Sequence, residues 1–554
     1  MKNELRATGL LLLAMAVPAS LEAQWNDWLG GDGDWMDGGN WSEGTPPDAT
    51  EYAGFRDSGV NHVTLDVSRL VGRFYVWGDS DLNLGLGSGV DFATDAGFFT
   101  TQTGSAVNIS GPASGEIATF TVGTGAQALV LNGPSAMTFS GPLLTFNASL
   151  NVGRQGDDGT LRVENGAVGN SATVTTGNVA DRSGGNNLHI EVDGAGTVLN
   201  VDSDSNIPIN IASRPRSEGS ATNFQENNSL TISDGAQVLV NNSREPGLSP
   251  AGVDIGHGDF YKRDNWIEVT GSGSLLEIRG ENIVTRIGRP DSESNYNNYM
   301  LVADGGVIQT EGATEINRTL AENGELKNRL FIGDGGSYIT SESITIEGGL
   351  LQLAAGGQLI GADFENQPVP VDIDVNTVDG AMGRFEAAGS GLDSTITLNV
   401  DAGSVFAVGL GDATEPSVLT LDSTVNMLAD SRLELTIFGD NAMDSIDFAG
   451  GTLNPASDAV DLDVLLGDGY EPAFGDTFQA FTGNVNITNE FTAILLPELE
   501  GSLGWDLSDF DSAGDWSFSV IPEPGTYALF VGLGVLALVA FRRVGRSRGN
   551  GRAR

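Results

Sequence analysis

The chain has no cysteine among its 554 residues and only three histidines. Without cysteine it can form neither a disulfide framework nor a thiol nucleophile, so its stability must come from burial and backbone pairing. The histidines, His62, His189 and His257, stand in unrelated parts of the sequence. Neither a His-Glu-x-x-His zinc motif nor a Gly-x-x-x-x-Gly-Lys phosphate loop occurs. The sequence therefore offers no dedicated catalytic cluster.

Positive charge is also scarce. Residues 24–521 carry 19 basic and 71 acidic side chains, and hence a formal net charge of −52. A polyanion of this size repels nucleic acid and anionic lipid, so we expect no nucleic-acid partner. The same charge predicts a soluble, hydrated surface that collects cations.

One phrase repeats through the middle of the chain, where glycines separate short runs of Val, Ile, Leu and Thr. In each copy apolar and polar residues alternate and then reach Asp-Gly or a related turn, as expected for short strands joined by tight turns. Copies lie at 187–195, 228–236, 265–273, 298–306 and 328–336, with a degenerate copy at 159–167. Their leading residues are Asn187, Asn228, Asn265, Asn298 and Asn328, and the interval between these asparagines shortens along the chain.

Stacked copies of such a phrase can bury an apolar face that a single copy cannot. We therefore predict an all-β fold, a right-handed parallel β-helix with β-rich caps; a propeller or a sandwich array is the alternative. At about 22 residues per coil, residues 140–400 would form a rod on the order of 55 Å long. Because the phrase fades after residue 405, we assign the repeats to 91–405 and the caps to 24–90 and 406–519.

These phrases resemble the passenger-type repeats of bacterial autotransporters and of large exported β-helix proteins from environmental bacteria. The tryptophan- and glycine-rich stretch from Trp25 to Pro47 is similar to the opening of those proteins. The resemblance implies a surface-exposed solenoid. The arginine-rich tail of this chain predicts a different anchoring route.

Residues 1–23 have the layout of a secretory signal peptide. Lys2 and Arg6 precede an apolar stretch from Gly9 to Val17, and Ala23 is the expected cleavage residue. The sequence thus predicts export.

The C-terminal region has three unlike parts in fixed order. Residues 520–544 hold the motif Pro522-Glu523-Pro524, an uncharged run from Tyr527 to Phe541, and the pair Arg542-Arg543; residues 545–554 form an arginine-rich tail. The run predicts a transmembrane helix, although fifteen residues span only about 22 Å of a hydrocarbon core of roughly 30 Å. The arginines should remain cytoplasmic.

This order of parts resembles the PEP-CTERM sorting signal of exosortase-processed bacterial surface proteins. The resemblance covers residues 521–544 only. It implies secretion, temporary membrane tethering and cleavage near the Pro-Glu-Pro motif by an exosortase-type enzyme in the membrane.

The weak candidate for a metal site is the acidic opening, where Asp32, Asp34 and Asp37 lie within six positions. Oxygen ligands suit Ca²⁺, but Met36 stands where an EF-hand pattern needs a third ligand. We expect no bound cofactor beyond loosely held Ca²⁺.

Together these features predict a non-enzymatic structural or adhesive protein of the cell surface or extracellular matrix. Its expected partners are the sorting enzyme, the membrane, extracellular polysaccharide and neighbouring surface proteins. The alternative is a carbohydrate-active enzyme, a polysaccharide lyase or hydrolase on a β-helix. A groove lined by paired acids, an arginine and stacking aromatics would favour the enzyme, and a smooth polar flank would favour the scaffold.

The sorting hypothesis predicts that the secreted protein ends near Pro522-Glu523-Pro524, and that replacing these three residues by alanine leaves the tail attached. Mass spectrometry of the secreted and membrane fractions measures both forms. If the tail stays intact and the protein stays in the membrane with and without the substitution, the hypothesis is wrong.

Overall fold

The fold is described from a computed structural model of the chain. The described residues are 24–57, 59–100, 104–123, 129–132, 134–153, 157–176, 185–204, 207–212, 225–243, 251–256, 262–280, 283–288, 295–317, 327–411, 413–457, 459–501, 503–511, 515–523 and 533–538.

Three long sheets of parallel strands form the body of the molecule, and between about residues 69 and 361 each turn of the chain contributes one strand to each sheet. We call them sheets I, II and III. Sheet I has 16 strands: Gln24–Asp27, Glu51–Phe55, Arg73–Val76, Phe98–Thr100, Leu129–Leu131, Leu150–Val152, Val174–Thr176, Ile209–Ile211, Ala251–Ile255, Val284–Ile287, Ala313–Asn317, Ile344–Glu347, Val371–Asn376, Ile396–Val400, Thr424–Met427 and Thr452–Pro455.

Sheet II is a linear ladder of parallel strands with one short antiparallel strand, Ala442–Met443, beside Arg432–Gly439. Its parallel strands are Gly33–Asp34, Gly59–Leu65, Ser80–Leu86, Ala106–Ser110, Ala136–Ser140, Thr160–Glu164, His189–Asp193, Ser229–Ser233, Trp266–Thr270, Tyr299–Ala303, Arg329–Ile332, Leu350–Leu353, Arg384–Ala387, Val405–Val408, Arg432–Gly439, Asp461–Leu466 and Ala493–Leu495.

Sheet III has 11 strands and stops earlier along the chain. They are Arg69–Val71, Asp91–Thr94, Ala118–Val122, Leu144–Asn147, Val168–Ser171, Val198–Ser203, Gln237–Asn242, Leu275–Arg279, Val307–Thr310, Ser337–Thr340 and Gln358–Gly361.

Three small sheets and a 3₁₀ turn complete the described elements. The small sheets are the parallel set Gln225–Glu226, Lys262–Arg263 and Asn295–Tyr296, the parallel set Val418–Leu421, Ser445–Phe448 and Phe481–Gly483, and the antiparallel set Thr477–Gln479, Ser517–Pro522 and Leu503–Asp506. Gly38–Asn40 form the 3₁₀ turn, and residues 533–538 are helical. The predicted all-β fold of stacked parallel coils is confirmed.

The core lies inside the stack because the strands alternate between buried and partly exposed residues. Ile190 and Val192 pair in register with Leu230 and Ile232 of the next coil, and all four side chains are buried. Because apolar residues pair with apolar residues of the next coil, each coil buries an apolar face that would be exposed to water in a single coil.

The turns after the repeat phrase use the backbone conformation that its Asp-Gly ending favours. Asp234 and Gly235 have φ of 51° and 84°, and Asp304 and Gly305 have 55° and 85°. Glycine adopts this left-handed region without steric cost, and Asp tolerates it better than most residues.

The phrase asparagines form a buried ladder that runs through four coils. The Nδ2 of Asn228 donates to Oδ1 of Asn265 at 2.9 Å, Asn265 to Asn298 at 2.8 Å, and Asn298 to Asn328 at 3.0 Å. The Oδ1 of each ladder asparagine also accepts a hydrogen bond from a main-chain N–H of the preceding coil. In the first of these bonds the N–H of Leu188 donates to Oδ1 of Asn228 at 3.2 Å.

The ladder also fastens the first small sheet to the stack. The Nδ2 groups of three ladder asparagines donate to main-chain carbonyls of that sheet, at 3.0 Å, 3.3 Å and 3.1 Å. This small sheet carries Lys262, which is fully buried; burial lowers the pKa of its ammonium to about 7, although Asp254 acts in the opposite direction.

The alignment of the first phrase copy was wrong by one residue. Leu188, and not Asn187, lies at the ladder position of Asn228, since Ile190 pairs with Leu230. Asn187 instead shares the left-handed turn position with Asn227, with φ of 55° and 58°, and accepts from Asn227 Nδ2 at 3.1 Å. The coil is therefore 40 residues long.

The predicted coil length of about 22 residues, taken from short strands joined by tight turns, was too short for most coils. Coils range from 21 residues, between Ser337 and Gln358, to 44 residues, between Ile209 and Val253. The extra residues lie in connections between strands and add no rung. Seven steps along sheet II separate Thr160 from Arg384, which makes about 34 Å at about 4.8 Å per step.

The sheets continue through the boundaries placed at residues 90 and 405. Sheets I and II begin in the region assigned to the N-terminal cap, and sheet II continues to Ala493–Leu495. Sheet III ends at Gln358–Gly361, and a separate parallel sheet begins at Val418–Leu421.

The ends of the chain lie mostly outside the described residues, among them Ala23, Pro524, Tyr527, Phe541, Arg542 and Arg543. In the described parts of the chain, no helix is both long and apolar enough to cross a membrane.

We expect Asn265→Ala to lower the free energy of unfolding by about 3 kcal/mol, because it removes four hydrogen bonds and leaves buried donors unpaired. Urea titration measures the change. Asn200→Ala, in a half-buried outer ladder where Asn200 donates to Asn170 at 2.9 Å, should cost less than about 1 kcal/mol. Equal losses for the two variants would contradict a special role for the buried ladder.

Candidate functional site

The outer face of sheet II carries a stack of flat side chains that we call the aromatic column: His189, Trp266, Tyr299 and Arg329. The rings of Trp266 and Tyr299 are stacked, with centroids 5.9 Å apart and planes 5° apart. The His189 and Trp266 rings are also 5.9 Å apart, and the Arg329 guanidinium lies 5.1 Å from the Tyr299 ring centre.

The in-register strands place these groups together. Trp266 pairs with Tyr299, and Tyr299 with Arg329. Ser229 stands between His189 and Trp266 in the ladder and is almost fully buried. Because serine is small, the two rings can meet across it, and its hydroxyl lies 2.8 Å from Nδ1 of His189.

Burial favours the neutral forms of the His189 and Tyr299 side chains. The pKa of His189 is lowered by burial, against the opposing effect of Glu191 and Asp158. The pKa of Tyr299 is raised by burial and then by Glu268. Neutral rings with exposed edges offer apolar contact surfaces with hydrogen-bonding groups at their margins.

Carboxylates line the neighbouring row of the same face. Glu191 pairs with Arg162, Nε to Oε2 at 2.5 Å, and both side chains are partly exposed, so the pair adds little stability. Burial, followed by the charge of Asp304, raises the pKa of Glu268. The face therefore combines flat rings with hydrogen-bond acceptors.

Farther along sheet II lies a charged cluster centred on Arg384. Its Nε donates to Oε1 of buried Glu386 at 2.5 Å, and its Nη1 donates to Oε2 of Glu434. The remaining oxygen of Glu386 accepts from Gln352 Nε2 at 2.8 Å and from the Gly411 N–H at 2.9 Å. A cavity of about 350 Å³ adjoins the cluster and is lined by Arg384, Gly411, Thr436, Phe438 and Asp468 among others.

The cluster holds its arginine protonated. Burial opposes the charge of Arg384, but Glu434 and Glu386 outweigh it and raise the pKa of the guanidinium. Lys327, whose Nζ donates to the Met382 carbonyl at 2.7 Å, has its pKa lowered to about 8 by burial and by Arg384. Of the two cations, only Lys327 has the pKa of a group that could exchange a proton near neutral pH.

The stacked rings and the paired acids occupy different parts of the face. Tyr299 and Arg384 are three steps apart along sheet II, about 14 Å. The aromatic column is a flat strip on the sheet, whereas the cavity beside Arg384 takes a single ring, Phe438, into its lining. The groove expected of the enzyme, with acids, arginine and stacked rings together, is divided between two places.

The acidic residues predicted as a weak metal site are used in local turns. Asp34 Oδ1 accepts the Met36 N–H at 2.8 Å, and Asp37 Oδ1 accepts the Gly39 N–H at 2.9 Å. Asp32 is exposed. Across the described ranges, no group of three or more such side chains is arranged to hold a metal ion.

The processing motif begins inside the folded part of the chain. Pro522 ends the strand Ser517–Pro522 and pairs with Leu503, and Glu523 follows as an exposed residue. A cut after this point would leave the last strand with the folded domain.

The sequence analysis predicted neither the aromatic column nor the charged cluster on sheet II, although the sequence contains a pattern that marks the aromatic column. Trp266, Tyr299 and Arg329 each follow a ladder asparagine in the repeat phrase, so aligned phrases would have shown a column of flat groups. The Arg384–Glu434 contact joins residues 50 apart in separate, dissimilar coils. No local pattern marks it.

Comparison of the chain with models of protein families gave no match, and neither did comparison with curated proteins.

The environment of His189 predicts a pKa below 6.5, the ordinary value for a histidine. Because Glu191 raises that pKa, Glu191→Gln should lower it further. NMR titration of the imidazole resonances measures both values. A pKa at or above 6.5 in the unaltered protein, or an upward shift in the variant, would contradict the described burial and charge.

Proposed function

We propose that this protein is an exported, non-enzymatic structural or adhesive component of the bacterial cell surface or extracellular matrix. In this proposal it is tethered through its C-terminal segment, then sorted and cleaved at the PEP-CTERM tail by an exosortase-type enzyme. The observation that carries the adhesive role is the aromatic column on the outer face of sheet II, which consists of stacked rings with no enclosing walls of paired acids among the described residues.

The stacked coils support a spacing and display role. Fifteen steps along sheet II separate Gly59 from Ala493, which corresponds to about 70 Å of continuous hydrogen-bonded stack. Such a body presents one face of regularly spaced side chains toward neighbouring surface proteins or polymer.

The proposed ligand of the aromatic column is extracellular polysaccharide without negative charge. The exposed edges of the Trp266 and Tyr299 rings can make apolar contacts with sugar rings, and Glu191 and Glu268 can accept hydrogen bonds from hydroxyls. The net charge of −52 between residues 24 and 521 repels acidic polymers. Loosely bound Ca²⁺ would be needed to bridge the protein to an acidic polysaccharide.

A second candidate function, a polysaccharide lyase or hydrolase, is favoured by one observation. Lys327, with a pKa of about 8, interacts electrostatically with Arg384, Glu386 and Glu434, and Arg384 lines the cavity of about 350 Å³. A lysine that loses its proton near neutral pH can serve as a base, and a fixed guanidinium can hold a carboxylate of the substrate.

Trp266→Ala and Tyr299→Ala should each weaken binding of residues 24–523 to a neutral polysaccharide about tenfold, equivalent to about 1.4 kcal/mol. Affinity electrophoresis in gels containing soluble cellulose or xylan measures the retention. Leu239→Ala is the matched control, since Leu239 also faces outward but on sheet III. Retention that is unchanged in both ring variants would exclude the column as the adhesive site.

The same incubations separate the two candidate functions. A non-enzymatic protein leaves the polymer length unchanged, as measured by size-exclusion chromatography. Shortening of the polymer that disappears in Lys327→Met would establish the enzyme and overturn the proposal.

A further inference from the structure

A second concave site lies at the C-terminal end of the stack, beyond the aromatic column. It is a cavity of about 500 Å³ beside the last strand of sheet II, Ala493–Leu495. This volume is within the range of small-molecule sites in proteins. Its lining consists of Ile487, Thr488, Asn489, Glu490, Phe491, Ile494, Phe510, Asp511 and Trp516.

Three aromatic rings of the lining share one buried support. The ring of Phe481 is buried and lies 6.1 Å from Phe491, 6.0 Å from Phe510 and 5.7 Å from Trp516, measured between centroids. Phe510 and Trp516 also meet edge to face at 5.5 Å. Each lining ring is packed against the core on one side and remains partly exposed. Part of the lining is therefore aromatic surface that the fold itself does not cover.

The backbone of Trp516 is in a conformation that bulky residues rarely adopt. Its φ is 51°, in the left-handed region, and its carbonyl accepts the Ala480 N–H at 3.1 Å. A non-glycine residue there costs on the order of 1 kcal/mol, and such outliers concentrate at binding sites. Glycine would adopt this backbone conformation without strain. Trp516 adopts it at an energetic cost and places a large ring in the lining of the cavity.

The polar residues of the lining define the charge of the ligand. Glu490 and Asp511 are acidic, Asn489 and Thr488 can donate and accept, and the described lining contains no lysine or arginine. Acidic groups in a lining of this kind disfavour an anion. Carboxylates and amides instead suit a ligand with many hydroxyl groups.

We propose that this cavity binds a sugar ring of an uncharged glycan, packed against Trp516 and Phe510 and hydrogen-bonded to Asn489 and Glu490. The site goes beyond the proposed adhesion through the aromatic column, since seven steps of sheet II, about 34 Å, separate Tyr299 from Ala493. One molecule would thus hold a glycan at two separated points.

The test uses residues 24–523 and two uncharged probes, cellotetraose and tetra-N-acetylchitotetraose, with tetragalacturonate as the anionic comparison. Isothermal titration calorimetry should detect binding of at least one uncharged probe. Trp516→Gly and Phe510→Ala should weaken that binding at least tenfold, and tetragalacturonate should bind at least tenfold more weakly than the better probe.

Trp516→Gly separates loss of the ring from loss of the fold, because glycine adopts the left-handed conformation of this position without strain. We expect its thermal midpoint to fall because the packing of the ring against Phe481 and Phe510 is lost, so circular dichroism at the temperature of the titration checks that the variant is folded. The double variant Trp266→Ala/Tyr299→Ala removes the rings of the aromatic column, so the tetrasaccharide binding that it retains reports on the cavity alone, and adding Trp516→Gly should weaken that binding at least tenfold. Leu239→Ala, on the outer face of sheet III and outside both sites, is the matched control and should bind the tetrasaccharide unchanged. Absence of binding by both uncharged probes, equal binding by tetragalacturonate, or unchanged affinity in a folded Trp516→Gly variant would each overturn the proposal.

Discussion

The structure depends on parallel pairing in register, which sets each residue above its counterpart in the next coil. The same rule produces an apolar interior where Ile190 lies beside Leu230, an amide ladder where Asn265 lies beside Asn298, and a ring stack where Trp266 lies beside Tyr299. Whether a row of stacked positions is apolar, polar or aromatic therefore depends on the residue type that recurs there from coil to coil. The apolar core, the buried asparagine ladder and the candidate binding face thus all result from in-register parallel pairing.

Pairing in register also creates a difficulty for a chain this acidic, because identical charges would stand about 4.8 Å apart. Glu164 does pair directly with Asp193, and Glu434 with Asp463, but other acidic columns are interrupted. Arg162 precedes Glu191, and Thr231 separates Glu191 from Glu268. In sheet I, a single carboxylate, Asp374, is followed by Asn399, Asn426 and Asn454, whose amides bond to one another at 2.9 Å. Amides can form such a ladder since each both donates and accepts.

Much of the fold could be predicted because the decisive signals were local. Alternating residues and Asp-Gly endings within nine positions specify a strand and its turn, and their recurrence specifies a stack. The register between coils was harder to predict from the sequence. Asn187 and Asn228 look equivalent in the sequence, yet Ile190 pairs with Leu230, so Leu188 is the residue that lies beside Asn228. The boundary at residue 405 followed the fading phrase, whereas backbone pairing continues with dissimilar side chains. The charged cluster and the Trp516 cavity join distant segments, so no spacing in the sequence could indicate them.

The variable coil length has a mechanical consequence. Strands lie across the stack and their hydrogen bonds run along it, so tension between the two ends would detach coils one after another. The coil between His189 and Ser229 holds 40 residues and would release on the order of 130 Å of slack chain. The coils joined by the asparagine ladder would be the last of their region to yield. A tether built this way would lengthen in steps under load and so absorb a pull that would break a stiff rod of the same size.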